Sequence, residues 1–435
     1  DRRRVEITGG ESAISSHLLK LLTIPVFTGI IGYVTNWSGV VMLFYPVHFR
    51  GIRLRPLAPF VGLLPRKIQQ IPGIMQAGLG WQGIIPSRAA KMGSIAVDKG
   101  ISKLGSPREF YEQLEPDKIA EQILVNSRQD VHDLVDRILE REHGQLWRDL
   151  PPRARQAIHD RVDQQLPQVV RQVTQEIGEH IDQLLDIKLM VIRRIEAQPE
   201  LANRIFLDVG RKELRFIQNF GFVFGLLLGV PLAFITDALP YWWLLPIGGV
   251  LIGYATNLIG IWMIFEPVAP RRFLGMTLHG LFMRRQPEVA DVYAGIIAND
   301  IVTIANIGDD LMHGPRADRT RRLIENALRP AVDDSLGRVS GLVRVALGSN
   351  KYDAIRESLA TEAVAYTMTP FTDPEFGARQ NKAIFNLLAA RMRTMAPHDF
   401  AEMLRTAIKE DEWLLYLHGA VLGFGAGLIH LAIFG

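Results

Sequence analysis

Residues Ile30–Val47 read IIGYVTNWSGVVMLFYPV, and residues Leu251–Val268 read LIGYATNLIGIWMIFEPV. Ten of these eighteen positions are identical, among them Gly32/Gly253, Thr35/Thr256, Asn36/Asn257, Met42/Met263, Phe44/Phe265 and Pro46/Pro267, all at one constant offset. Self-similarity over so long a period marks a structural unit used twice. Each copy ends a charge-free run, Leu21–Tyr45 and Tyr241–Phe265. A helix needs about 20 apolar residues to cross the roughly 30 Å hydrocarbon core. Phe216–Ile235 and Trp413–Phe434 pass the same test, so four transmembrane helices are expected, at 21–46, 216–235, 241–265 and 413–434. The first is too long for a signal peptide and lacks a cleavage signature.

Only Thr236–Pro240 separates the second and third runs, so these two helices turn tightly and run antiparallel. That turn carries Asp237 and no Lys or Arg, whereas the opposite ends are basic: Arg50, Arg53, Arg55, Arg66 and Lys67; Arg204, Arg211, Lys212 and Arg215; Arg271, Arg272, Arg284 and Arg285. The positive-inside rule then puts both polar regions, 47–215 and 266–412, in the cytoplasm, after a basic tail over 1–20. Arg2, Arg3, Arg4 and Lys20 run against that assignment. Either the tail is translocated despite its charge, or the first run is a re-entrant hairpin around Pro25 and Thr35–Ser38.

Two further matches extend the repeat. Gly62–Lys67 (GLLPRK) aligns with Gly280–Arg285 (GLFMRR), and Gly221, Gly225 and Gly229 align with Gly419, Gly423 and Gly427. Glycine at every fourth position opens a groove for close approach of a neighbouring helix in lipid, so these six are read as packing positions. The two units enter the membrane in the same direction and are expected as parallel repeats about an axis along the membrane normal.

The polar regions read as helical arms. Ile158, Val162, Leu166, Val169, Val173, Ile177, Ile181 and Leu184 step by 4, 4, 3, 4, 4, 4 and 3, one apolar stripe on a long helix with Pro167 as a place for a kink. Leu328, Val332, Leu336, Val339 and Val343 repeat the pattern. Mutual packing, a second copy, or an apolar ligand such as a lipid tail must cover these stripes.

Among 435 residues there is no cysteine, which excludes disulfides, thiolate catalysis and cysteine-ligated metals. With 49 basic against 46 acidic residues the charge is +3, so a pI of 9.0 is weak support for nucleic acid, and none is expected as a partner. Mean hydropathy of +0.10 hides the membrane helices because the apolar residues are gathered into blocks. Asn36 and Asn257, each preceded by Thr35 or Thr256, are the conspicuous polar residues inside the runs. An unpaired amide in hydrocarbon costs several kcal/mol. They are read as an interhelical clamp, with pairing to each other about the pseudo-twofold axis as one arrangement. Arg66–Lys67 and Arg284–Arg285 are candidate contacts for lipid headgroups, beside plain topology signals. His418 and His430 have no matching histidines on the other runs, so haem is not expected; His132, His143, His159 and His180 read as solvated rather than metal-bound. No H-E-x-x-H, P-loop, nucleophile elbow or dinucleotide fingerprint occurs.

With these residues assembled, the chain resembles the bacterial membrane proteins grouped as the domain of unknown function 445 family (YheB/YjiN-like). The resemblance lies in Gly32, Thr35-Asn36, Met42-Leu43-Phe44, Pro46 and Gly62–Lys67; in Gly253, Thr256-Asn257, Met263-Ile264-Phe265 and Pro267, with Met283 departing from the proline; and in Arg211–Leu214 and, more loosely, Lys409–Glu412. It implies an integral membrane protein with helical arms, here as a fused tandem pair, and supplies no reaction. The expected fold is therefore all-α and polytopic: four transmembrane helices from a duplicated two-span unit with long amphipathic cytoplasmic arms. The expected function is a non-enzymatic membrane scaffold or assembly protein without a cofactor, contacting lipids and other membrane proteins or itself. Lipid binding or transport through the basic doublets and apolar arms is the alternative. The bacterial cytoplasmic membrane is the expected location; because the chain opens on Asp1 rather than Met, a processed organellar protein stays open.

Overall fold

The computed structural model describes residues 2–53, 58–75, 77–239, 241–273, 275–336, 357–359, 361–362, 364 and 373–434, with residues 2–20, 58, 60, 66, 142, 143, 146, 273, 276 and 331–336 as backbone alone. The side chains of Arg2, Arg3, Arg4, Lys20, Arg55, Arg66, His143, Val332, Leu336, Val339 and Val343 lie outside the described residues. Contacts divide the chain into two units, Asp1–Lys99 with Ile195–Val292 and Met392–Gly435, and Gly100–Arg194 with Tyr293–Arg391.

Among the described residues, the first unit holds four helices long and apolar enough to cross a membrane: Leu21–Phe44, Arg211–Ala238, Leu244–Phe265 and Glu412–Phe434, called spans 1 to 4. The helix carrying span 1 runs unbroken from Arg2 to Phe44 with Pro25 inside it. The re-entrant alternative is thereby corrected: Thr35–Ser38, with neither proline nor glycine among them, continue the helix, and Ser38 Oγ donates back to the Thr35 carbonyl of that same helix (3.0 Å). Between 28 and 39% of the 18-residue apolar window of each span is buried, and large apolar side chains such as Ile30, Val223, Leu251 and Val421 face outward. Unpartnered apolar belts of this extent belong against lipid. Tyr241, Trp242 and Trp243 stand exposed at the turn between spans 2 and 3, where aromatic residues favour the headgroup level. Gln286–Ile301 with Ile304–His313, bent by 42°, also meets the length and hydropathy test. Its apolar side chains, Val289, Ala290, Ala294, Ile297, Ala298 and Ile301 among them, are buried in protein, and Glu288 and Asp291 on its first part are ion-paired with Lys212, Arg285 and Arg393, which suits a core helix with one charged edge better than a lipid-facing span.

Span 1 packs chiefly on span 2, and span 3 on span 4. After each of spans 1 and 3 the chain forms a two-stranded antiparallel hairpin: β1 (Arg50–Arg53) with β2 (Gly78–Trp81), and β3 (Arg271–Phe273) with β4 (Met276–Leu278).

The second unit is helical. Ser106 and Glu109 form a reciprocal capping box at the start of Pro107–Gln113, and Pro152 sits in the first turn of Pro152–Leu184, where its missing N–H costs nothing. Pro116–Asp149 and Pro152–Leu184 pack along each other, with Ala317–Leu336 against the latter. The stripe from Val169 to Leu184 is buried by these neighbours, so no lipid tail is needed to cover it. Pro167 lies within a continuous helix.

Candidate functional site

The ends of the four spans that lead into the polar regions meet at one end of the bundle. Asn203 Nδ2, buried just ahead of span 2, donates to the Phe44 carbonyl at the end of span 1 (2.7 Å). Arg405, ahead of span 4, reaches Glu266 just after span 3 (3.2 Å).

Two ion-pair clasps are built at this end. Arg88 Nη1 donates to Asp411 Oδ2 at 2.5 Å, with both side chains almost fully buried (6% and 2% exposed), and Arg88 Nη2 donates to the Gln70 carbonyl at 2.9 Å. Arg285 Nη1 donates to Glu213 Oε1, also at 2.5 Å, with Glu213 3% exposed. Each clasp has an outer pair, Lys91 with Glu410 and Lys212 with Glu288, and the charges are exchanged between the two. Burial pushes the Asp411 carboxyl upward, against the pull of Arg88. The exposed Glu288 is held near 2 by hydrogen bonds from Arg285 and Lys212, and Lys91 lowers Glu410.

The surroundings of the two clasps correspond. Gly83 N–H donates to the Pro46 carbonyl (2.9 Å), and Gly280 N–H to the Pro267 carbonyl (3.0 Å). A Cβ on Gly83 would strike the backbone of Phe44 and Tyr45, and one on Gly280 that of Phe265. Gly280–Arg285 therefore occupies the place of Gly83–Arg88, and not that of Gly62–Lys67. This corrects the alignment of the basic doublets: the first connection is the longer of the two and carries the counterpart further down the chain. It also removes Arg285 from the candidate headgroup contacts, since its guanidinium is engaged by Glu213 and Glu288. Arg284 and Lys67 stand exposed; the side chain of Arg66 is outside the described residues.

Deeper in the bundle, Asn36 Nδ2 donates to the Ile217 carbonyl of span 2 (2.7 Å) and Asn257 Nδ2 to the Leu415 carbonyl of span 4 (2.6 Å). Pairing of the two asparagines with each other is corrected. Each sits against the glycine stripe of its own neighbour, where the backbone comes within reach and offers a nearer acceptor. Gly221 and Gly419 make that approach possible: a Cβ on Gly221 would collide with the Gly32 carbonyl and the Asn36 amide, and one on Gly419 with the Gly253 carbonyl and the Asn257 amide. Gly225 and Gly229 continue the contact along Thr28 and Pro25, and Gly423 and Gly427 along Gly249 and Pro246. Thr256 Oγ1 bonds its own helix at Ile252, and Thr35 is buried beside Asn36. Between the spans lies a narrow cavity of about 30 Å³, lined by Thr35, Asn36, Thr256 and His430 among others. Asn36 Oδ1 is buried without a protein partner. His418 bonds Ser38 (3.0 Å), linking spans 4 and 1, and His430 packs edge-on to Phe27.

Among the other histidines, His132 and His159 stack at 4.5 Å and pair crosswise with Asp163 (2.9 Å) and Asp136 (2.7 Å) on two adjacent helices. The solvated reading of these two is corrected: the antiparallel packing of Pro116–Asp149 on Pro152–Leu184 brings them together. No protein-family model matches the chain, and no curated protein or solved structure matches it either.

Proposed function

We propose that the chain is an integral membrane scaffold: a duplicated two-span unit whose four helices cross the bilayer and hold helical arms on the cytoplasmic side. The observation that carries this reading is the pair of crossed clasps. Arg88 follows span 1 but grips Asp411 ahead of span 4, while Arg285 follows span 3 but grips Glu213 ahead of span 2. Within the bilayer each span packs mainly on its own repeat mate, and at the polar end each repeat is tied to the other. Buried, paired charges of this kind make one rigid base from two halves, the property a platform for other components needs. The chain is assigned as a non-enzymatic member of the domain of unknown function 445 group, in the bacterial cytoplasmic membrane. Its partners are lipids and either other membrane proteins or further copies.

Native mass spectrometry of the protein released from its own membranes tests the function. A stoichiometric larger assembly is expected. A lone chain at every detergent concentration, with no neighbour recovered by crosslinking in intact membranes, would overturn the scaffold reading.

A further inference from the structure

The connection between Pro46 and Gly83 occupies 47–82, whereas its counterpart between Pro267 and Gly280 occupies only 268–279, yet both close with the same backbone hydrogen bond. The longer connection has an unusual composition. From Val47 to Gln82 it carries five Arg and Lys side chains and no Asp or Glu, and apolar residues with proline and glycine make up most of the rest. Several of the apolar side chains are turned outward: Leu63 is 81% exposed, and Ile52 and Leu79, which face each other directly across β1 and β2, are 70% and 72% exposed. Arg50, Arg53 and Lys67 are exposed around them.

The described residues of the segment are nevertheless tied down at several points. Trp81 Nε1 donates to the Met42 carbonyl in the last turn of span 1 (3.3 Å), Gln82 Nε2 to the Val47 carbonyl (2.7 Å), and the clasp residue Arg88 holds the Gln70 carbonyl. Gly73 packs so closely on β2 that a Cβ there would meet the Gly80 carbonyl. The segment thus presents an apolar surface whose own charges are all cationic, with Glu200 beside His48 as a neighbouring carboxylate, and it is tied back to the last turn of span 1 by Trp81.

We propose that the described parts of this connection, residues 47–53, 58–75 and 77–82, form an interfacial platform that lies in the headgroup layer and binds anionic phospholipid. Ile52, Leu63 and Leu79 enter the acyl boundary, and Arg50, Arg53 and Lys67 meet the phosphates. Charge complementarity and continuity with span 1 select this occupant, because a segment without a single carboxylate has nothing to repel an anionic leaflet. The inference rests on the membrane reading of the spans and not on the scaffold reading.

The chain has no cysteine, so Leu63→Cys places a single bimane label on the platform. The labelled full-length protein is reconstituted in nanodiscs of phosphatidylcholine with phosphatidylglycerol, using shallow doxyl lipids and iodide as quenchers. The platform predicts strong doxyl quenching and iodide access several-fold lower than in detergent. A label as open to iodide as in detergent and untouched by doxyl lipid overturns it. So does a label shielded from iodide where the unlabelled Cys variant instead forms a disulfide with a second copy under oxidising conditions. Independently, Arg50→Gln with Arg53→Gln and Lys67→Gln should weaken the preference for phosphatidylglycerol over phosphatidylcholine by about fivefold per residue. An unchanged preference in the folded triple variant also overturns it. Loss of a larger assembly with intact platform quenching would sink the scaffold reading alone.

Discussion

Arg88 and Asp411, far apart in the chain, meet at 2.5 Å in a site where both side chains are almost fully withdrawn from solvent. The pair joins the segment after the first span to the residue before the last. Removing one partner strands the other as a buried charge, a loss of about 3–5 kcal/mol, whereas replacing both by apolar residues is far milder. Arg88→Leu and Asp411→Leu should each lower stability by that order, and the double variant should recover most of it. A double-mutant cycle by denaturant unfolding in detergent reads this; simple additivity would show that the contact is not coupled.

The outer pairs carry exchanged charges, Lys91 with Glu410 and Lys212 with Glu288. Reversing one pair entirely, by Lys91→Glu with Glu410→Lys, makes it resemble the other and should leave stability within about 0.5 kcal/mol, because both partners reach solvent. Reversing one residue alone opposes like charges and lowers the melting temperature. Thermal unfolding of the three variants distinguishes these outcomes.

Gly221 and Gly253 have no room for a methyl group, since each would drive a Cβ into the backbone of the facing span. Gly221→Ala should separate spans 1 and 2 and break the Asn36 bond to the Ile217 carbonyl. Gly425, with open space around its Cβ position, should accept alanine with little change. Comparing the melting temperatures of the two variants in the same detergent checks the contrast. Equal behaviour would remove the close-packing argument.

Much of this architecture can be read directly from the residues. The four charge-free runs, the glycine stripes and the Thr-Asn pairs are local patterns, and the bilayer imposes a length and composition that few other folds need. The clasps are not legible, for equally physical reasons. The first connection is longer than the second, so Gly62–Lys67 offers itself as the sequence match to Gly280–Arg285, although Gly83–Arg88 makes the corresponding contacts. The exchanged charges of the outer pairs erase sequence identity at the very contacts that are equivalent. Asn36 and Asn257 find backbone carbonyls, acceptors present at every residue and therefore without a sequence signature. One signal is available: Glu213 and Asp411 stand at the same offset as Gly221 and Gly419 in the glycine stripes.

In the second unit, Glu109 accepts two hydrogen bonds from Arg391 (3.0 and 2.9 Å), which with the Ser106 backbone N–H hold its carboxyl at about 2, below its usual 4.5. A carboxylate lowered by folding stabilises the native state above its unfolded pKa, and that contribution is lost as pH falls from about 4.5 towards 2. Glu109→Gln should flatten this part of the pH–stability profile while leaving its shape above about pH 5 unchanged. Melting temperatures measured across that range test the sign; a variant profile parallel to wild type throughout would contradict it.

The most direct test of the account is the placement of its two ends across the bilayer, and the cysteine-free chain is suited to it. Asp237→Cys lies in the last turn of span 2, next to the connection to span 3, and Arg284→Cys lies beside the clasps. In intact cells an impermeant maleimide should label the first variant and reach the second only after permeabilisation. Labelling of both from the same side would contradict a bundle that crosses the membrane with its clasped end in the cytoplasm.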